Sequence, residues 1–228
     1  MVTKEKLAST IDHSVVGTVC RREAVKKACE EVLEYGFPAM FVMPCDVAYA
    51  KSLIGDKATV GAAIGFPQGM TTTASKIFEG LEAMDNGAMA LDVVMNVSRL
   101  KDGDDEYVSN ELKQFVAAAK GKNPDVEVRV IIECPFLEHD EKIRACEIVA
   151  ECGADYVKQT TGFAPNNYHL GDIKIMKNVV GDRCKVKASG WMINVEDAIG
   201  AIEFGAERIG NDQAVRWLQE MDDNRYYK

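Results

Sequence analysis

Apolar and polar positions along this chain fall into alternating blocks. Short, nearly continuous apolar runs are separated by longer stretches in which apolar residues recur every three or four positions. Runs such as Ala39-Met40-Phe41-Val42-Met43 and Val128-Arg129-Val130-Ile131-Ile132 have too few polar positions for a strand with one wet face, so they read as parallel strands covered on both sides. By this criterion strands fall near 8 to 14, 37 to 43, 58 to 65, 89 to 96, 126 to 134, 154 to 161, 184 to 190 and 207 to 211. Helical periodicity occupies 21 to 35, 71 to 86, 104 to 120, 138 to 152, 171 to 179 and 194 to 204. Tyr35-Gly36-Phe37, Asn86-Gly87-Ala88, Cys152-Gly153-Ala154 and Phe204-Gly205-Ala206 share one punctuation, a glycine that ends a helix just before the next strand. Asp140 and Asn194 are placed as helix N-caps, the latter followed by Glu196 and Asp197 in the first turn.

Eight strands in strict alternation with helices predict an α/β fold, a single (β/α)8 TIM barrel over residues 1–228, with a doubly wound sheet as the competing arrangement. A chain of 228 residues with 47% hydrophobic content has enough apolar surface for one large core. The formal charge of -9 argues against nucleic-acid or anionic-membrane partners and leaves a small molecule as the expected partner. Seven cysteines with no C-x-x-C pair, no apolar signal region and no membrane-length apolar run predict a soluble cytoplasmic protein with reduced thiols.

Candidate chemistry comes from charges placed inside apolar runs. Lys158 stands in Tyr156-Val157-Lys158-Gln159-Thr160-Thr161-Gly162, Lys187 in Val186-Lys187-Ala188-Ser189-Gly190, and Asp92 in Leu91-Asp92-Val93-Val94-Met95. Desolvating an ammonium is costly unless a partner or a function compensates. A lone lysine at a strand end ordinarily snorkels into solvent, and Asp92 by itself can be a mere ion-pair partner. Two lysines on adjacent predicted strands are different. Two ammonium groups about 6 Å apart at an effective dielectric near 20 repel by roughly 3 kcal/mol, or about 2 pKa units. Partial burial lowers the value further, which makes a neutral, nucleophilic amine available near pH 7. Asp12 and His13, Gly65-Phe66-Pro67-Gln68-Gly69, Asn96, Glu133, Asn211 and Asp212 also fall at predicted strand C-terminal ends, the face where barrels of this kind place catalysis.

The segments Gly65-Phe66-Pro67-Gln68-Gly69, Leu91-Asp92-Val93-Val94-Met95-Asn96, Val157-Lys158-Gln159-Thr160-Thr161-Gly162-Phe163 and Val186-Lys187-Ala188-Ser189-Gly190 closely resemble those of deoxyribose-phosphate aldolases. The resemblance runs from Ile11-Asp12-His13 to Arg208-Ile209-Gly210. It implies a metal-independent, cofactor-free class I aldolase that cleaves a 2-deoxy sugar phosphate to acetaldehyde and a second aldehyde. It further implies Lys158 as the Schiff-base lysine, Lys187 as the lysine that perturbs it, Asp92 as the proton-moving carboxylate and Asp12 as an acidic pocket residue. Homodimers or larger homo-oligomers are expected on the same ground.

The match departs at the phosphate subsite. The family's Gly-Gly-hydrophobic-Arg stretch reads Gly190-Trp191-Met192-Ile193 here, and its Ser/Thr-rich loop after the eighth strand reads Asn211-Asp212-Gln213-Ala214. An indole blocks backbone approach to a phosphate, and a carboxylate about 5 Å from a dianion costs roughly 6 kcal/mol at an effective dielectric near 20. The expectation is an unphosphorylated, neutral or cationic acceptor, with Asn211 and Asp212 bonding hydroxyl or amino groups; the contrary expectation turns Asp212 outward and leaves phosphate accepted. Thr160, Thr161, Gly162, Ser189 and Gly190 complete the expected substrate lining. Phe41 stands where the family often has cysteine and Met43 where it has a more polar residue, both making the pocket more apolar, while Cys45 is displaced and receives no reactive role.

Three rival functions are weaker. A metal-dependent aldolase needs convergent ligands, whereas His13, His139 and His169 are scattered; His13 is expected at the barrel mouth and the other two in loops. A phosphosugar isomerase relies on carboxylates and an intact phosphate grip. A non-catalytic sugar- or metabolite-binding barrel is suggested only by the altered subsite.

Overall fold

The computed structural model describes residues 2–165 and 168–223. Positions 1, 166–167 and 224–228 of the expected single domain lie outside the described residues. Eight parallel strands, β1 (Ile11–Val15), β2 (Ala39–Val42), β3 (Thr59–Ile64), β4 (Ala90–Val94), β5 (Glu127–Ile131), β6 (Tyr156–Lys158), β7 (Lys185–Ser189) and β8 (Arg208–Asn211), close into a barrel in sequence order. Around it run α1 (Lys4–Ala8), α2 (Arg22–Tyr35), α3 (Val47–Ile54), α4 (Thr73–Asp85), α5 (Val97–Lys101), α6 (Asp105–Lys122), α7 (His139–Glu151), α8 (Leu170–Val180), α9 (Val195–Glu203) and α10 (Ala214–Asp223). The (β/α)8 expectation holds, and the doubly wound sheet is excluded by the pairing of β1 with β8.

Alternation along each strand divides its side chains between two environments. On β4, Leu91 and Val93 join the large apolar layer between strands and helices, while Ala90 and Asp92 face the barrel axis. Towards the axis a small separate apolar cluster, Ala39, Phe41 and Ala90, lies beside a group of ion-paired charged side chains.

Several boundaries differ from the sequence reading. The run expected to begin a strand at 8 instead ends α1, whose N-cap Thr3 accepts from the Lys6 N–H at 3.1 Å. β6 stops at Lys158 rather than 161, because side chains take over the pairing: the Thr160 N–H donates to Ser189 Oγ and the Thr161 N–H to Glu133. β5 stops at Ile131, and two residues on Glu133 adopts a left-handed φ of 55°. β4 ends before Asn96, which caps α5 by accepting from the Arg99 N–H at 3.2 Å. Asp140 is not an N-cap. Glu138 takes that place in a reciprocal capping box with Glu141, and Asp140 falls in the first turn. Asn194 does cap α9, accepting from the Asp197 N–H at 2.9 Å. Periodicity alone names no helix at α1, α3, α5 or α10; the first and third have only five residues each.

Candidate active site

Lys158 and Lys187 are paired neighbours across β6 and β7. Both amines reach one oxygen: Lys158 Nζ lies 2.6 Å and Lys187 Nζ 2.8 Å from Asp92 Oδ2. Asp92 Oδ1 is buried without a hydrogen-bond partner among the described residues, leaving one carboxylate acceptor at the site unused. The two lysines differ in access. The Lys158 side chain is 10% exposed and opens into the pocket, whereas Lys187, which also borders it, is only 1% exposed.

Lys187 is enclosed from several strands. Asp12 Oδ2 lies 2.8 Å from its Nζ, and the Phe41 ring sits 3.7 Å from the same atom. Glycine makes both approaches possible: a Cβ at Gly61 would stand 2.3 Å from the Phe41 ring, and one at Gly210 would stand 3.0 Å from Lys187 Cε. Burial pushes the Lys187 ammonium down to about 8, aided by Lys158 and Arg129 and opposed by Asp12 and Asp92. Although burial alone raises an aspartate, Lys158, Lys187 and Arg129 hold Asp92 below the usual carboxylate range. The lowering falls on Lys187, the lysine that the sequence reading cast as the perturbing cation and not as the nucleophile.

Asp12 borders the cavity as expected, with its carboxylate already engaged. It is fully buried, and its oxygens are taken by Arg129, Arg208 and Lys187, with Arg208 Nε at 2.9 Å. Those three cations hold its carboxyl far below the usual range against the opposing effect of burial. Arg129 bridges Asp12 and Glu127 and lies between the rings of Phe41 and Tyr156, at 4.9 and 4.8 Å. Arg129, Arg208 and Glu127 were not among the sequence candidates. Arg129 carries the same signal that singled out the lysines, a charge in the apolar run Val128-Arg129-Val130.

A cavity of about 1190 Å³ opens above the lysines, its walls including Val15, Phe163, Tyr168, His169 and Trp191. Thr161, Gly162, Ser189, Gly190, Asn211 and Asp212 line it as expected. Thr160 does not. Its hydroxyl donates to Glu133 and also accepts from the Gly162 N–H, so it shapes the loop instead of the lining. Asn211 is engaged locally, accepting from the Gln213 N–H at 2.5 Å and donating to the Gly190 carbonyl at 3.3 Å. Asp212 is exposed at the rim and accepts from Gln213 Nε2 at 3.1 Å. Phe41 reaches the cavity, but Met43 does not line it.

His13 packs and hydrogen-bonds beside the mouth, with Nδ1 at 3.3 Å from the Asn211 carbonyl, while Nε2 at 2.8 Å from Glu31 on α2 and the Phe37 ring turn it towards the helical layer. The strand alternation that turns Asp12 inward turns its neighbour outward. His139 starts α7 and is not a loop residue, whereas His169 precedes α8 at the cavity wall.

The model of the DeoC/LacD family of aldolases matches residues 6–211. A deoxyribose-phosphate aldolase from Carboxydothermus hydrogenoformans is 42% identical over 97% of this chain and 97% of its own length. One from Staphylococcus epidermidis is 42% identical over 96% of this chain and 99% of its own. The solved structure of "QR15, an Aldolase" superposes with a TM-score of 0.88 at 34% identity, covering 95% of this chain and 96% of that one. The deoxyribose phosphate aldolase from Aeropyrum pernix, described as having a unique tetrameric structure, gives 0.89 at 27% identity over 97% and 93%. With a carboxylate-linked lysine pair in a closed barrel and a family match spanning nearly all of it, the chain belongs to the DeoC/LacD family of aldolases.

Proposed function

We propose that this aldolase breaks and forms the C2–C3 bond of a 2-deoxy aldose through an imine on Lys158. The observation that carries the reading is the sharing of Asp92 Oδ2 by two amines of unequal access. The accessible amine is the nucleophile, because a carbinolamine needs room that Lys187 lacks. Neutral Lys158 Nζ attacks the C1 carbonyl; the carbinolamine loses its oxygen as water and becomes a protonated imine. A base removes the C3 hydroxyl proton, the C2–C3 pair flows into the iminium, and an aldehyde departs from C3, leaving an enamine. Protonation at C2 and hydrolysis return acetaldehyde and the free lysine. Asp92 Oδ1 is the acceptor that relays these protons, and Lys187 serves as its partner. Lys158→Arg is expected to abolish borohydride trapping of an acetaldehyde adduct and to lower kcat/KM by at least about a thousandfold. Wild-type enzyme that forms no adduct would instead indicate a sugar-binding barrel without catalysis.

The acceptor is unphosphorylated in this reading. Apart from the two catalytic lysines, no Lys or Arg among the described residues is part of the cavity lining, while Asp212 and the indole of Trp191 stand at its rim. A dianion entering there meets a carboxylate and gains no guanidinium. Cleavage of deoxyribose-5-phosphate and of free deoxyribose is therefore expected to differ in kcat/KM by less than about a hundredfold, and a larger phosphate preference overturns the acceptor assignment.

A further inference from the structure

The charges tied together by ion pairs inside the barrel do not cancel. Lys158, Lys187, Arg129 and Arg208 face Asp12, Asp92 and Glu127, so full ionisation leaves one positive charge in excess. Buried net charge is costly, and a guanidinium does not release its proton to relieve it. Burial opposes the charge on Arg129, but Asp12, Asp92 and Glu127 raise its proton affinity beyond the ordinary arginine value. Both aspartates are held ionised by their cations. Only a lysine is left to shed the excess proton.

We propose that Arg129, set with Arg208 and Glu127 in the lower half of the barrel, is a positioning residue for the lysine pair: its permanent charge occupies Asp12 and keeps one of the two amines unprotonated. The groups that face Lys187 are Asp12 on β1, Asp92 on β4, Arg129 on β5, Lys158 on β6 and Arg208 on β8; β2 contributes the Phe41 ring and β3 no charge. Without Arg129 and Arg208, the Asp12 charge serves Lys187 alone, and the amine pair holds its protons to higher pH. Arg129, Arg208 and Glu127 open on a second cavity, of about 570 Å³, at the N-terminal end of the barrel, and none of them lines the substrate cavity. Substitution there changes charge without touching substrate.

This inference rests on the imine assignment to Lys158, and its test separates the two. The rate of acetaldehyde trapping on Lys158 by cyanoborohydride is measured against pH for the wild type, Arg208→Met, Glu127→Gln and Arg129→Lys. Arg208→Met is expected to move the midpoint up by about one pH unit, a roughly tenfold slower reaction on the acidic limb. Glu127→Gln, which removes a negative charge, is expected to move it down by about half a unit, since Glu127 is partly solvated. Arg129→Lys retains the charge and is expected to keep the wild-type midpoint. A purely structural role lowers the melting temperature of the variants and leaves every midpoint unmoved, which overturns the proposal, as do shifts of the same sign in Arg208→Met and Glu127→Gln. Absence of a wild-type adduct sinks the imine assignment instead.

Discussion

Asp92 gathers two lysine amines on one oxygen, and that sharing distinguishes this lysine pair from two surface lysines. The arrangement depends on residues with no chemistry of their own. Phe41 reaches across the barrel to the Lys187 ammonium only because Gly61 has no side chain. The ring has little freedom to retreat, since Arg129 and Lys187 both pack on it. Gly61→Ala is therefore expected to cost about 1–3 kcal/mol, read as a lower urea midpoint, and to slow adduct formation on Lys158 as the displaced ring disturbs Lys187. An unchanged midpoint would mean that the ring relocates freely. Nothing in Thr59-Val60-Gly61-Ala62-Ala63 marks this glycine in the sequence, because its constraint comes from the neighbouring strand.

The strands that carry the site are anchored by the helices behind them. Lys76 on α4 and Glu111 on α6 form a fully buried ion pair at 2.6 Å, and Lys76 Nζ also donates to the Val94 carbonyl at 2.8 Å, two residues beyond Asp92. Glu79 on α4 accepts from the Gly65 N–H at 2.7 Å and so steadies the loop after β3. Removing one member of a buried pair strands the other, so Lys76→Met is expected to destabilise by about 3–5 kcal/mol in urea unfolding. The double change Lys76→Met with Glu111→Leu is expected to cost markedly less, because no charge is left unpaired. Equal losses in the single and double variants would show that the pair acts only through packing. On the other side of the site, Glu133 ties the loop after β5 to Thr160 and Thr161 after β6. Such ties between consecutive loops explain why β6 is shorter than its apolar run.

Closure of the whole barrel brings Asp12 to Arg208, which are 196 positions apart, and commits the enclosed ions to a common environment. Folding stability therefore senses the protonation of Lys187. Its proton affinity falls on folding from the ordinary lysine value of 10.5 to about 8, chiefly through burial. Between those values the unfolded chain binds more protons than the folded one. The unfavourable contribution of charged Lys187 is thus fully present below pH 8 and is relieved as the pH rises through the window. The difference in unfolding free energy between wild type and Lys187→Met is expected to shift in favour of the wild type by on the order of 3 kcal/mol between pH 8 and 10.5. A difference that stays flat with pH contradicts the assignment. The comparison with the variant is needed because burial pushes the thiols of Cys146 and Cys184 up to about 12, which weakens both proteins at alkaline pH and cancels in the difference.

The order of the strands and of most of the helices, and the three charges Lys158, Lys187 and Asp92, were readable along the chain because their causes are local. Backbone periodicity repeats over a few residues, and a charge in an apolar run is conspicuous wherever it occurs. Which amine is open, how Asp12 is consumed by two arginines, why Thr160 leaves the lining and where Asp212 sits at the rim depend on which strands become neighbours. Those relations arise when β8 pairs with β1 and every inward side chain is forced to share one narrow interior. Proton affinities follow from that enclosure, since the desolvation and the neighbouring charges that set them do not exist until the barrel is shut.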